Sequence, residues 1–65
     1  MSVILDILDC IYEHKEIDLE DMIKLLSHWR SSTIMKHLPE LRRRGYIYVK
    51  YKGDREIICK GVKLA

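Results

Sequence analysis

The side chains able to do chemistry in this chain are mostly hydroxyls and cations, and they gather in its second half. Arg30 precedes a run of Ser31, Ser32 and Thr33. Lys36 and His37 follow, then Arg42, Arg43 and Arg44 together, and finally Lys50, Lys52 and Arg55. Groups of this kind suit phosphate oxygens and base edges, because they donate hydrogen bonds and release counterions from a polyanion. Covalent chemistry finds no such support. No Ser-His-Asp spacing, glycine-rich phosphate loop or pair of buried carboxylates can be assembled, so no enzyme is expected. Cys10 and Cys59 lie far apart and show no ligand spacing with His14, His28 or His37. No metal and no cofactor is expected there, and free buried thiols are the reading, with a Cys10–Cys59 bridge as the alternative.

The formal net charge of +2 conceals an asymmetry. Residues 1–26 carry two basic side chains against seven acidic ones, a net −5, whereas residues 27–65 carry ten against three, a net +7. Such a split suggests one surface that meets a polyanion and another that stays away from it. The 65 residues read as a single domain, near the lower size at which one core holds a chain folded. No apolar run reaches membrane-spanning length and no basic flank of a signal peptide opens the chain, so a soluble cytoplasmic protein is expected. Absence of Asn and Gln, with 34% charged residues, resembles the composition of thermophile proteins.

Helices and strands must position these groups. Ser2 is expected to cap a first helix reaching about Lys15. Ile4, Leu8 and Ile11 form its central stripe, flanked by Val3, Ile7 and Cys10 on one side and by Leu5 and Tyr12 on the other. The apolar arc covers roughly 220° at 100° per residue, where a surface helix needs only about 100° or somewhat more. The excess predicts a partner surface. Lys15-Glu16-Ile17 reads as a connection, with Ile17 as a one-residue bridge to a later sheet. Asp18 should cap a second helix over about Leu19–Ser27, with Leu19, Ile23 and Leu26 inward and Met22 and Leu25 beside them. Ser27-His28-Trp29-Arg30 is the next turn, Trp29 covering the core.

Ile34, Leu38 and Leu41 recur at i, i+4 and i+7 and predict a third helix, capped by Ser31 or Ser32. Ser32, Lys36, Pro39 and Arg43 form its outward stripe. Pro39 predicts a kink or a break into two short helices. The arginines complement the helix dipole at the last turn, and Gly45 ends the helix in the left-handed region. Tyr46 to Tyr51 and Glu56 to Lys60 read as strands joined by Lys52-Gly53-Asp54-Arg55, a two-residue hairpin with Gly53 at positive φ. That turn sets Lys52 opposite Arg55, Lys50 opposite Ile57 and Tyr48 opposite Cys59, with Ile47, Val49 and Ile58 toward the core. Lys50, Lys52 and Arg55 should therefore share the tip.

The pattern Ser31-Ser32-Thr33-Ile34, Leu38, Leu41, Gly45-Tyr46-Ile47 resembles the winged helix-turn-helix regulators of the MarR and ArsR type, over nearly the whole chain. The resemblance implies an α+β fold: a three-helix winged helix-turn-helix with a C-terminal two-stranded β-hairpin wing. It implies sequence-specific binding of double-stranded DNA by a small homodimeric transcriptional regulator. The third helix would enter the major groove and the wing would lie beside the adjacent minor groove. On that mapping Arg30, Ser31, Ser32, Thr33, Lys36, His37 and Arg43 meet bases and phosphates, while Lys50, Lys52 and Arg55 reach flanking backbone. Family members commonly have a small residue where this chain has His28-Trp29. The dimer is expected on the first helix through Val3, Ile7, Cys10 and Ile11, the Leu5/Tyr12 flank being the other candidate. A winged helix used for protein assembly without DNA is the alternative function, favoured by the over-apolar first helix and by Pro39. Single-stranded nucleic acid stacking on Tyr46, Tyr48 and Tyr51 is a third.

Overall fold

Caps and turn residues decide where each element starts and stops. A computed structural model describes residues 2–64. Helix α1 spans Val3–His14, strand β1 Glu16–Asp18, helix α2 Leu19–Leu25 and helix α3 Ser31–Arg43. Strand β2 covers Ile47–Lys52, strand β3 Arg55–Lys60, and a 3-10 turn closes the described residues at Val62–Leu64. The fold is α+β, with three helices and a three-stranded antiparallel sheet of order β1-β3-β2 among the described residues, compatible with a winged-helix topology.

Ser2 caps α1 by accepting from the Leu5 N–H at 3.5 Å, and Asp18 caps α2 by accepting from the Glu20 N–H at 2.8 Å. Helix α3 departs from expectation at its start. Its N-cap is Arg30, which makes no side-chain capping bond, so neither Ser31 nor Ser32 plays that part. Its end is the predicted one. Gly45 has φ +85°, the Gly45 N–H donates to the Arg42 carbonyl and the Tyr46 N–H to the Leu41 carbonyl, the paired bonds of a Schellman stop.

Pro39 does not divide α3 into two helices; the helix runs on through it. Pro39 is exposed, whereas Ile34 and Leu38 before it and Leu41 after it are buried in one core. Packing on both sides of the proline holds the two halves in one helix, against the loss of the bond to the Met35 carbonyl.

The ribbon of β2 and β3 has the predicted register, with Lys52 opposite Arg55, Lys50 opposite Ile57 and Tyr48 opposite Cys59. The expected single bridge at Ile17 is a full third strand, pairing Glu16, Ile17 and Asp18 with Cys59, Ile58 and Ile57. Gly53 takes φ +64° at the tip, and a Cβ there would meet nothing within 4 Å. Gly53→Val should therefore cost only backbone strain, about 1–2 kcal/mol, with the core untouched. Chemical shifts confined to Lys52–Arg55 and a melting temperature lowered by roughly 5–15 °C are the expected readings.

Ile7, Ile11, Met22, Ile34, Ile47 and Ile58 are wholly buried and form the centre, with Ile17, Leu26, Leu38 and Leu41 around them. This corrects the expected dimer surface. Val3, Ile7, Cys10 and Ile11 are all core residues of their own chain, at 0–9% exposure. The reason is that α1 meets α3, β1 and β3 at once, so Ile11 of its central stripe and the Val3/Ile7/Cys10 flank are covered internally, with Leu8 partly covered. What stays open is the opposite flank, with Leu5 61% and Tyr12 60% exposed beside Ile4. In α2 the inward residue is Met22, while Leu25 faces solvent and Leu19 and Ile23 are only partly covered. Helix α2 ends at Leu25, ahead of the predicted Ser27.

Candidate nucleic-acid interface

The outward face of α3 starts from its uncapped N-terminus. The first N–H groups of a helix tend to lack an intrahelical acceptor; here the Thr33 N–H reaches the Arg30 carbonyl at 3.0 Å, and among the described residues no side chain takes up those of Ser31 and Ser32. Arg30, Ser31, Ser32 and Lys36 are exposed around this end, while Thr33 and His37 are half-buried on its flank. Among the described residues, neither Arg30 nor Lys36 lies in an ion pair. The positive end of the helix dipole, unsatisfied amides, hydroxyls and two cations therefore share one surface.

The other predicted cations are differently placed. Arg43 meets Glu40 at 2.5 Å and Arg44 meets the same carboxylate at 2.8 Å. Lys50 pairs with Glu16 at 2.8 Å and Arg55 with Asp18 at 2.5 Å, both acids belonging to β1. Lys50 and Arg55 thus spend their charge across the sheet, and of the expected tip cluster only Lys52 lies in no ion pair among the described residues. Each pairing holds its carboxylate below the ordinary range: the Lys50 ammonium acts on Glu16, the Arg55 guanidinium on Asp18, and Arg43 then Arg44 on Glu40.

These pairs escape a linear reading of charge. The acidic first half of the chain does not stay apart from the basic second half, because β1 inserts its two acids beside the ribbon. The alternation of Glu16 and Asp18 about the buried Ile17 is the one local signal for it.

A second contact also joins distant segments. The Trp29 indole N–H donates to Asp6 Oδ2 at 2.7 Å and His28 Nε2 lies 2.9 Å from the same oxygen. Trp29 is half-buried against the core, as expected, and Asp6 of α1 fixes the turn that leads into α3. The two donors, Trp29 first, hold the Asp6 carboxyl below its usual value. A carboxylate with a depressed folded pKa contributes stability above its unfolded pKa, near 4, and loses it as pH falls through the folded value. Asp6, Glu16, Asp18 and Glu40 all act in this sense, so melting temperature should be flat from neutral pH to about 5 and fall below about 4. Asp6→Asn should shallow that fall, read by thermal melts in acid.

Cys10 and Cys59 are free and buried, and burial pushes the Cys10 thiol up. Among the described residues, no group of three or more His, Cys, Asp and Glu side chains is arranged to hold a metal ion, and no helix is long and apolar enough to cross a membrane. Comparison of the chain with protein-family models, curated proteins and solved structures finds no match.

Proposed function

We propose that the chain is a winged-helix protein that binds double-stranded DNA through the N-terminal half of α3, as a small homodimeric regulator. The observation that carries this reading is the cluster of Arg30, Ser31, Ser32 and Lys36 around an uncapped helix N-terminus, with no acid paired to either cation among the described residues. Phosphates suit that end of the helix, and Ser32 and Lys36 stand on its outward stripe, where base edges would lie. Thr33 and His37 flank them. Lys52 at the wing tip reaches flanking phosphate. Arg43, Lys50 and Arg55 take a smaller part than the bare sequence implies, since phosphate must first displace Glu40, Glu16 or Asp18.

Dimerisation on this reading uses Ile4, Leu5 and Tyr12, the open flank of α1, and sets two copies of α3 against half-sites about one helical turn apart. The same open flank supports a second reading, assembly with a different protein and no DNA.

A salt titration of binding to random duplex DNA separates the two. Steep loss of affinity with salt is the expected result, and no binding at low salt removes the DNA reading. Lys52→Ala should lower the salt slope by about one unit, and Lys36→Ala should alter sequence preference as well. Arg55→Ala should change the slope by clearly less than Lys52→Ala, because its charge is already shared with Asp18.

A further inference from the structure

We infer that β2 accepts an extended segment of a protein partner on its free edge, a segment apolar on one face and acidic on the other. This goes beyond the DNA reading and depends on neither DNA nor a dimer. Strand β2 is an edge of the sheet. The two-residue turn makes Lys52 and Arg55 a hydrogen-bonded pair, and antiparallel alternation extends such pairing to Lys50/Ile57 and Tyr48/Cys59. Val49 and Tyr51 therefore turn their N–H and C=O groups to the open side. Neither residue makes a backbone bond outside the ladder among the described residues. At the start of β2 the Tyr46 carbonyl continues the β3 ladder by accepting from the Gly61 N–H, and before it the Gly45 carbonyl accepts from the Lys63 N–H. The open edge therefore consists of the outward groups of Ile47, Val49 and Tyr51.

Beside it runs a groove of about 460 Å³ between β2 and α3, with Met35, Leu38, Pro39, Val49, Tyr51 and Ile58 among its lining. A strand paired to Val49 and Tyr51 would drop alternate side chains into this groove, because side chains alternate across a sheet. Those side chains are apolar. Most of the lining is aliphatic or aromatic, with Glu56, Arg42 and the Glu40-paired Arg43 as its charged members. The opposite face of β2 carries Lys50, which meets Glu16, and Lys52, which is in no ion pair among the described residues. Acids on the outer face of the incoming strand therefore complement this edge. A second copy is the wrong occupant, because β2 on β2 would set the lysines of both copies side by side.

The test uses an acetylated, amidated peptide of four Glu-Val repeats, titrated into isotope-labelled protein at neutral pH without DNA. Shifts at Val49 and Tyr51, at least tenfold slower exchange of their amides, and at least tenfold weaker binding to Lys52→Glu are expected. A Lys-Val peptide and a fully N-methylated Glu-Val peptide should not bind. The inference is overturned if millimolar Glu-Val peptide leaves those amides unmoved, or if the N-methylated peptide binds equally well. It is also overturned if protection of those amides grows with protein concentration alone, which assigns the edge to a second copy. Protection by duplex DNA but not by peptide assigns it to nucleic acid and overturns the inference while supporting the DNA reading.

Discussion

Ile7→Lys is expected to abolish folding, while Leu5→Lys, two residues away on the same helix, keeps the fold and loses self-association. Ile7 is 0% exposed at the centre of the core, between the helices and the sheet. Replacing it removes packing worth about 2–5 kcal/mol and sets an unpaired ammonium among aliphatic side chains, at a further cost of several kcal/mol. Native domains hold about 5–15 kcal/mol in all, and a core of this size lies toward the low end. Leu5 is exposed, and a lysine there meets water. Far-UV circular dichroism should show Ile7→Lys without a cooperative melt and Leu5→Lys melting near wild type. Sedimentation should find wild type self-associating and Leu5→Lys monomeric. An Ile7→Lys protein that melts like wild type would overturn the core described above. A Leu5→Lys protein that still self-associates would take the dimer off this flank.

Gly61→Ala is expected to have the next largest effect, from a single added methyl group. A Cβ at Gly61 would sit 2.4 Å from the Gly45 carbonyl oxygen, 2.7 Å from the Tyr46 carbonyl carbon and 2.8 Å from the Ile47 nitrogen. All three are backbone atoms, and no side-chain rotation relieves them. The residues they belong to form the stop of α3 and the start of β2, and the Gly61 N–H itself donates to Tyr46 at 2.9 Å. Relief requires the chain after β3 to separate from the α3–β2 junction, breaking that bond. Overpacking of this kind costs about 1–3 kcal/mol, and contact with fixed backbone belongs at the upper end. A lowered denaturation midpoint with unchanged slope, together with faster amide exchange at Gly61 and Lys63, is the expected result. Gly53→Ala is the comparison, since open space surrounds that position and only the strain of its φ of +64° is added; it should be milder and leave the α3–β2 junction intact.

Most of the element boundaries were legible because they rest on neighbours in the chain. Ser2 and Asp18 cap helices with their own side chains, Gly45 ends α3 by letting its own N–H and that of Tyr46 reach the Arg42 and Leu41 carbonyls, and Gly53 sets the register of the ribbon. The buried stripe of Ile34, Leu38 and Leu41 follows from helical spacing alone. The candidate interface was legible in residue type, since Arg30, Ser31, Ser32 and Lys36 do stand exposed at one helix end. Its strength was not, because the carboxylates that share the charge of Lys50 and Arg55 lie more than thirty residues earlier.

By itself, then, the sequence determined the order of helices and hairpin, the caps of α1 and α2, and which stripe of α3 is apolar. These depend on hydrogen bonds and periodicities within a few residues. Only the tertiary structure decided which flank of α1 is core and which is open. An arc wider than one packing surface requires leaves that choice to the elements that arrive on either side. It likewise decided that Glu16 and Asp18 share the charge of the wing cations, that Asp6 fixes the turn at Trp29, and that Gly61 has no room for a methyl group. Each of these is a contact between segments far apart in the chain, and residue types specify such contacts only once the strands and helices have met.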